Sequence, residues 1–168
     1  AKTKAEAENL INNNNESISY RFATAFGVSP RMRLDLLVND FVYKALSQNY
    51  LIVYEKNFMR TFIHVRDIAR SFVHAIENRD SMKNNIYNVG EESLNYSKED
   101  ICKKINQKID FYLYFADIGK DKDQRNYVVS YEKIRNTGFK LKYNIEFGIE
   151  ELIKAIPLLE TKLKYYNA

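Results

Sequence analysis

No tryptophan, one cysteine, two prolines and five glycines occur among the 168 residues. A lone Cys102 cannot form an internal disulfide or join a Cys-rich metal site. It points to a reducing compartment, expected here to be the cytoplasm. The five glycines include no G-x-G-x-x-G turn. The chain therefore lacks the bare helix-terminal amides that hold a dinucleotide diphosphate, and alone it is expected to bind no cofactor. No G-x-S-x-G nucleophile turn occurs. His64 and His74 stand ten residues apart without a carboxylate at ligand spacing, so no metal is expected. No run approaches the roughly 20 apolar residues of a membrane helix, and no membrane partner is expected. The opening AKTKAEAENL is polar and helix-forming, without the basic–apolar–small order of a secretory signal. The scarcity of Pro and Trp beside abundant Asn, Lys, Ile and Tyr reads as coding bias and carries no function.

What is present fits a globular protein: 45% apolar and 29% charged residues, enough for one domain or part of a larger one. Lys and Arg outnumber Asp and Glu by 26 to 22, a net charge of +4. The basic residues alternate with acids, as in DKDQRN and ENRDSMK, so no nucleic-acid footprint is formed. Arginines facing a diphosphate would account for part of the surplus equally well.

Hydrophobic periodicity and punctuation give an α/β order. Residues 1–14 read as a helix that starts without a cap, as though the chain were cut inside an element. ISYRFATAFG (18–27) reads as one buried strand closed by Gly27, followed by a loop at Pro30. Asp35 is expected to cap a helix running to about Gln48, with Leu36, Leu37, Phe41 and Leu46 on its apolar side. Strands are expected at 51–54 and 60–65, a helix opened by Asp67 and ending near Asn78, and a strand at 85–89 closed by Gly90. Ser97 and Asp100 form a capping-box signal. A strand at 111–115, an extended stretch at 127–130, a short helix at 132–136 stopped by Gly138, and a last helix at 145–159 complete the order. Cys102, between Ile101 and Ile105, is expected in the core.

Four segments in this order, RFATAFGVSPRMRLDLLVNDF, RTFIHVRDIARSFVHAIEN, IYNVG and DQRNYVVS, resemble the second half of extended short-chain dehydrogenase/reductases of the NAD-dependent epimerase/dehydratase family, which act on nucleotide sugars. The resemblance implies the C-terminal part of a Rossmann-type domain with a smaller α/β substrate-binding lobe. Residues 1–34 and 60–97 would belong to the first and residues 35–59 and 98–168 to the second. The complete enzyme would use NAD or NADP and a nucleotide-diphosphate sugar. Its missing N-terminal half would be a partner of this chain, and a homo-oligomer is expected.

The resemblance also implies roles for single residues. In AKTKAEAE, Lys4 falls on the lysine of the family's Tyr-x-x-x-Lys, and the tyrosine would precede Ala1. Such a lysine lowers the pKa of the catalytic tyrosine and holds the nicotinamide ribose. Phe22 and Ala23 would lie beside the nicotinamide. Thr24 takes the place of an asparagine that hydrogen-bonds the sugar in many relatives. Arg31, Arg33, Asp35 and Asn39 bracket a helix that contacts the nucleotide, with Asp35 and Asn39 the candidate ligands. Arg60 and Arg125 would approach the diphosphate from two sides. Read without the resemblance, Lys4 is a solvated lysine, Arg60 an edge ion pair, Asp35 an N-cap, His64 a structural hydrogen-bonder and Asp67 the cap of its own helix. A non-catalytic module that keeps only the nucleotide-sugar cleft is the alternative function.

Overall fold

The computed structural model describes residues 2–12, 16–117 and 128–159. Seven helices and seven strands alternate among them. An N-terminal helix α1 (Lys2–Asn12) leads into β1 (Ile18–Phe22) and β2 (Thr24–Phe26). Next come α2 (Leu37–Gln48), β3 (Tyr50–Tyr54), β4 (Met59–His64), α3 (Val65–Glu77) and a short α4 (Arg79–Met82). The remainder is β5 (Asn85–Val89), β6 (Asn95–Ser97), α5 (Lys98–Asn106), β7 (Tyr112–Ala116), α6 (Glu132–Arg135) and α7 (Ile145–Ala155). No helix among the described residues is long and apolar enough to cross a membrane.

Most pairing is parallel, as the β-α-β order requires: β1 with β5, β2 with β4, and β3 with β7. Among the described residues only β6 runs antiparallel, along the start of β4. The stretch expected as one strand over 18–27 is two. The chain breaks at Ala23, whose amide donates to the Val89 carbonyl at 3.2 Å, so β1 stays with β5 while β2 moves to β4. A single apolar run thus serves two sheets.

Strand β4 is the spine. Five of its six residues are buried, and alternation sends Phe62 into one apolar cluster and Ile63 into the other. The larger cluster joins α2, β3, α5 and α7 through Val42, Leu51, Ile101 and Leu152. In the smaller, Tyr131, Ile134 and Phe139 pack with Tyr87 and Val89 of β5.

Several local expectations are corrected. Leu36, not Asp35, is the N-cap of α2; its apolar side chain has no acceptor to offer, and Asp35 is instead paired with Arg33. The buried positions of α2 are Val38, Asn39, Val42 and Ala45; Leu37, Phe41 and Leu46 flank that face. Helix α3 is capped by His64, whose ring accepts from the Arg66 amide, and Asp67 sits inside the first turn. The Ser97–Asp100 capping box is present on α5. Tyr127 lies outside the described residues.

Candidate functional site

The break at Ala23 sets three of the candidate residues side by side. Phe22 ends β1 with its ring 5.6 Å from Tyr20 and 5.7 Å from Phe72. Ala23 packs against the smaller cluster, and Thr24 opens β2 half-buried. Lys4 is exposed on α1, and it shares with Phe22 a hollow of about 740 Å³ between α1 and β1. Across this hollow Arg21 holds Glu8 through two hydrogen bonds, at 2.9 and 2.6 Å. That pairing keeps the Glu8 carboxyl below its ordinary range.

Register brings Thr24 and Arg60 to one face of the β2-β4-β6 sheet. Thr24 stands beside Phe62, and Arg60 precedes Phe62 by two residues, so all three side chains leave the same side. Arg60 lies within β4 rather than ahead of it and is buried, at 2% exposure; its Nη1 donates to the Met59 carbonyl at 2.9 Å. A buried guanidinium is costly unless its donors are satisfied. Its cross-strand neighbour on this face is Tyr96.

Asn39 and Asp35 sit elsewhere. Asn39 is buried at the far end of β2, where its Oδ1 accepts from the Gly27 amide at 3.1 Å and its Nδ2 donates to the Arg33 carbonyl at 2.9 Å. Asp35 accepts from Arg33 at 3.0 and 2.5 Å, and this contact holds its carboxyl below the usual range. Asn39 thus joins the strand end to the loop before α2. Arg125 lies outside the described residues, so the placement of the two arginines about one hollow concerns Arg60 alone.

Sequence reasoning did not supply three polar arrangements, although His64 is the structural hydrogen-bonder expected. Asn95, opposite Thr61 on the other face of the sheet, buries an Oδ1 that has no hydrogen-bond partner among the described residues. A buried acceptor left unmade costs about 1–3 kcal/mol, and a ligand or water donor would satisfy it. Glu151 on α7 gathers the His64 Nε2 at 3.0 Å, the Val28 amide at 3.1 Å and Arg66. Because the His64 Nδ1 accepts from the Arg66 amide at 3.2 Å, the proton belongs on Nε2, toward Glu151. Burial lowers the His64 pKa, Glu151 opposing, so the ring is held neutral. Gly27, at φ 105°, lies against this ring, where a Cβ would come within 2.4 Å of Nε2. Asp67, wholly buried, accepts from the Lys142 and Tyr143 amides and from Arg70. No spacing rule announces the Glu151 contacts or the amides that Asp67 accepts from, because these partners lie 75 to 123 residues apart.

Solved structures of the same fold include the ADP-L-glycero-D-manno-heptose-6-epimerase of Helicobacter pylori, 21% identical, with a TM-score of 0.71 over 88% of this chain and 46% of that one. The UDP-glucose 4-epimerase of Thermotoga maritima, solved with UDP-glucose, is 18% identical, with a TM-score of 0.71 over 84% and 46% of the two chains. The dTDP-glucose 4,6-dehydratase of Bacillus anthracis, solved with NAD, is 19% identical, with a TM-score of 0.73 over 98% and 53%. The chain spans about half the length of these structures. Residues 2–90, more than half of the chain, match the family model, and the chain belongs to the NAD dependent epimerase/dehydratase family.

Proposed function

We propose that these residues form the substrate-binding half of an NAD(P)-dependent nucleotide-sugar epimerase or dehydratase working in the cytoplasm. On this reading the Gly-rich cofactor turn and the catalytic tyrosine are supplied by residues outside this sequence. The observation that carries it is the shared face of Thr24 and Arg60 beside the β1–β2 break, within a fold of this family. Arg60, and Arg125 with it, would hold the diphosphate, and Thr24 would donate to the sugar. Asp35 and Asn39 would shape the nucleotide side from the loop and start of α2.

For the cofactor, the chain offers only one end of a site. Lys4 and Phe22 on a common hollow fit the nicotinamide ribose and ring, with Ala23 beside them, whereas nothing in the sequence fits the diphosphate. When bound, the nicotinamide would accept a hydride from the sugar and return it. Lys4 would hold the ribose and lower the pKa of the neighbouring tyrosine by its charge. Residues 1–34 and 60–97 would flank the cofactor half, and residues 35–59 and 98–168 the sugar. The packing of Tyr131 and Phe139 onto β5 argues for assigning residues 131–139 to the cofactor side. Phe72, Val73 and Ile76 of α3, each more than half exposed, are surface that a missing half would cover.

Reading the coding region upstream of Ala1 tests the proposal directly. A Gly-rich strand–turn–helix and a Ser/Thr ahead of a tyrosine support it; their absence favours a non-catalytic nucleotide-sugar-binding module. Equilibrium titration with UDP-glucose and dTDP-glucose then tests the site. Arg60→Leu and Arg125→Leu should each weaken binding by roughly 1.5–3 kcal/mol. Their effects should be less than additive, because both would serve one anion.

A further inference from the structure

Between β3 and β4 the chain turns through Glu55, Lys56, Asn57 and Phe58, just ahead of Met59 and Arg60. Among the described residues these two strands pair elsewhere, β3 with β7 and β4 with β2 and β6. The turn thus has no hairpin ladder beneath it, and Glu55 takes φ 53° within it. A side chain in that left-handed region is costly and persists only where the surroundings impose it. The start of α5 imposes it here. Lys98, the first residue of that helix, is buried, at 1% exposure. Its Nζ donates to the Tyr54 carbonyl at 3.0 Å, stands 3.9 Å from the Glu55 carboxylate and lies 5.7 Å from the centre of the Phe58 ring. The Glu99 amide donates to the Lys56 carbonyl at 3.0 Å. Just before them, Tyr96 and Ser97 of β6 pair with Arg60 and Met59. Residues 96–99 therefore grip the turn and the start of β4 together, from a helix end fixed by the Ser97–Asp100 capping box.

Taken alone, α5 gains nothing from a lysine at this position. A cation in the first turn opposes the helix dipole, and a buried one is costly unless it is paired. A residue that breaks the local rule in two ways is placed there by its tertiary contacts. We propose that Lys98 is a positioning residue for Arg60. It holds the 54–58 turn against α5 and so fixes the start of β4, which leaves the Arg60 guanidinium where the diphosphate of a nucleotide sugar would meet it. This role rests on the assignment of Arg60 to the diphosphate made above. Lys98 acts through the backbone and not by contact with the ligand. The effect is large for its size, because a planar guanidinium fork aligns two hydrogen bonds at once and a small displacement spoils both.

Titration with UDP-glucose, under conditions where urea melts show each variant fully folded, tests the role. Lys98→Met should weaken binding by about fivefold to tenfold. A lysine that served stability alone would leave the affinity of the folded chain unchanged. Lys108→Met, at an exposed lysine beside Glu150, should bind as the native chain does. A positioning residue works only through its target, so in the Arg60→Leu background Lys98→Met should cost less than about twofold. An equal loss in both backgrounds overturns the proposal, as does native affinity in Lys98→Met. The Nε resonance of Arg60 in the ligand-free chain gives a second measure, and it should move in Lys98→Met but not in Lys108→Met. If UDP-glucose does not bind, or binds Arg60→Leu at native affinity, it is the assignment of Arg60 to the diphosphate that fails. The Nε resonance then decides the hold by itself, and a signal unmoved in Lys98→Met overturns it. Should Lys98→Met not fold, Lys98→Gln, uncharged and shorter, takes its place with the same expectations.

Discussion

Replacing Asp67 with alanine removes a wholly buried carboxylate that fastens the segment before α7 to α3. Its oxygens accept from the Lys142 amide at 3.1 and 3.0 Å, from the Tyr143 amide at 3.0 Å and from Arg70 at 2.5 Å. Hydrogen bonds to a charged acceptor contribute about 1.5–3 kcal/mol each. The Arg70 side chain is 43% exposed, so solvent reduces its share to about 1 kcal/mol at most. Some of the sum is offset, because a charge no longer has to be held out of water. A net loss of roughly 3–4 kcal/mol is expected, within the range for removing one partner of a buried ionic network. With a urea m-value near 2 kcal/mol/M, the unfolding midpoint should fall by about 1.5–2 M at unchanged m. Asp67→Asn keeps one acceptor oxygen and should lose only about half as much. A loss under about 1 kcal/mol in the alanine variant would refute the latch. An asparagine variant as damaging as alanine would mean that charge, and not the number of acceptors, holds the segment.

Three further outcomes are expected. His64 has a folded-state pKa lowered by burial, so as pH falls below about 6.5 the unfolded chain takes up the proton first and stability declines. Urea melts across that range should show the decline in the wild type and a flatter profile in His64→Gln. The Cys102 thiol, pushed up to about 12 by burial, should resist a thiol reagent in the native protein and react once urea unfolds it. Calorimetry on the 168-residue chain should detect no NAD or NADP binding; micromolar affinity would overturn the division of the site between this sequence and residues outside it.

Local signals were legible and long-range ones were not. The Ser97–Asp100 box was readable because both partners lie within one turn. The strand over 85–89 was bounded by its own Gly90. The break at Ala23 was invisible, since an apolar run has the same pattern whether it feeds one sheet or two. Asp35 has the chemistry of a cap, and a neighbouring Arg33 claimed it instead. Strand β6 is three residues long and exists through its pairing with β4. Thr24 and Arg60 could be named from the family's motifs, but only register puts them on one face. Asn39 could be named in the same way, yet its amide group is committed to the Gly27 amide and the Arg33 carbonyl.

These placements divide β4 by task. Its C-terminal end is fastened: His64 is wedged between Gly27 and Phe26, hydrogen-bonded to Glu151, and caps α3, which Asp67 ties to the segment before α7. Its N-terminal end carries Arg60 and Thr61, with Asn95 and Tyr96 across from them on β6. A site holds a ligand's geometry only when the elements beneath it do not move, and a strand with five of six residues buried supplies such a base. The two ends should therefore respond differently to substitution. Changes at His64 or Asp67 should lower the melting temperature and leave nucleotide-sugar affinity near the native value in the surviving folded fraction. Changes at Arg60 should lower affinity beyond any loss of stability. If Asp67→Asn weakened UDP-glucose binding as much as Arg60→Leu does, the fastening and the proposed site would be one network, and the division would fail.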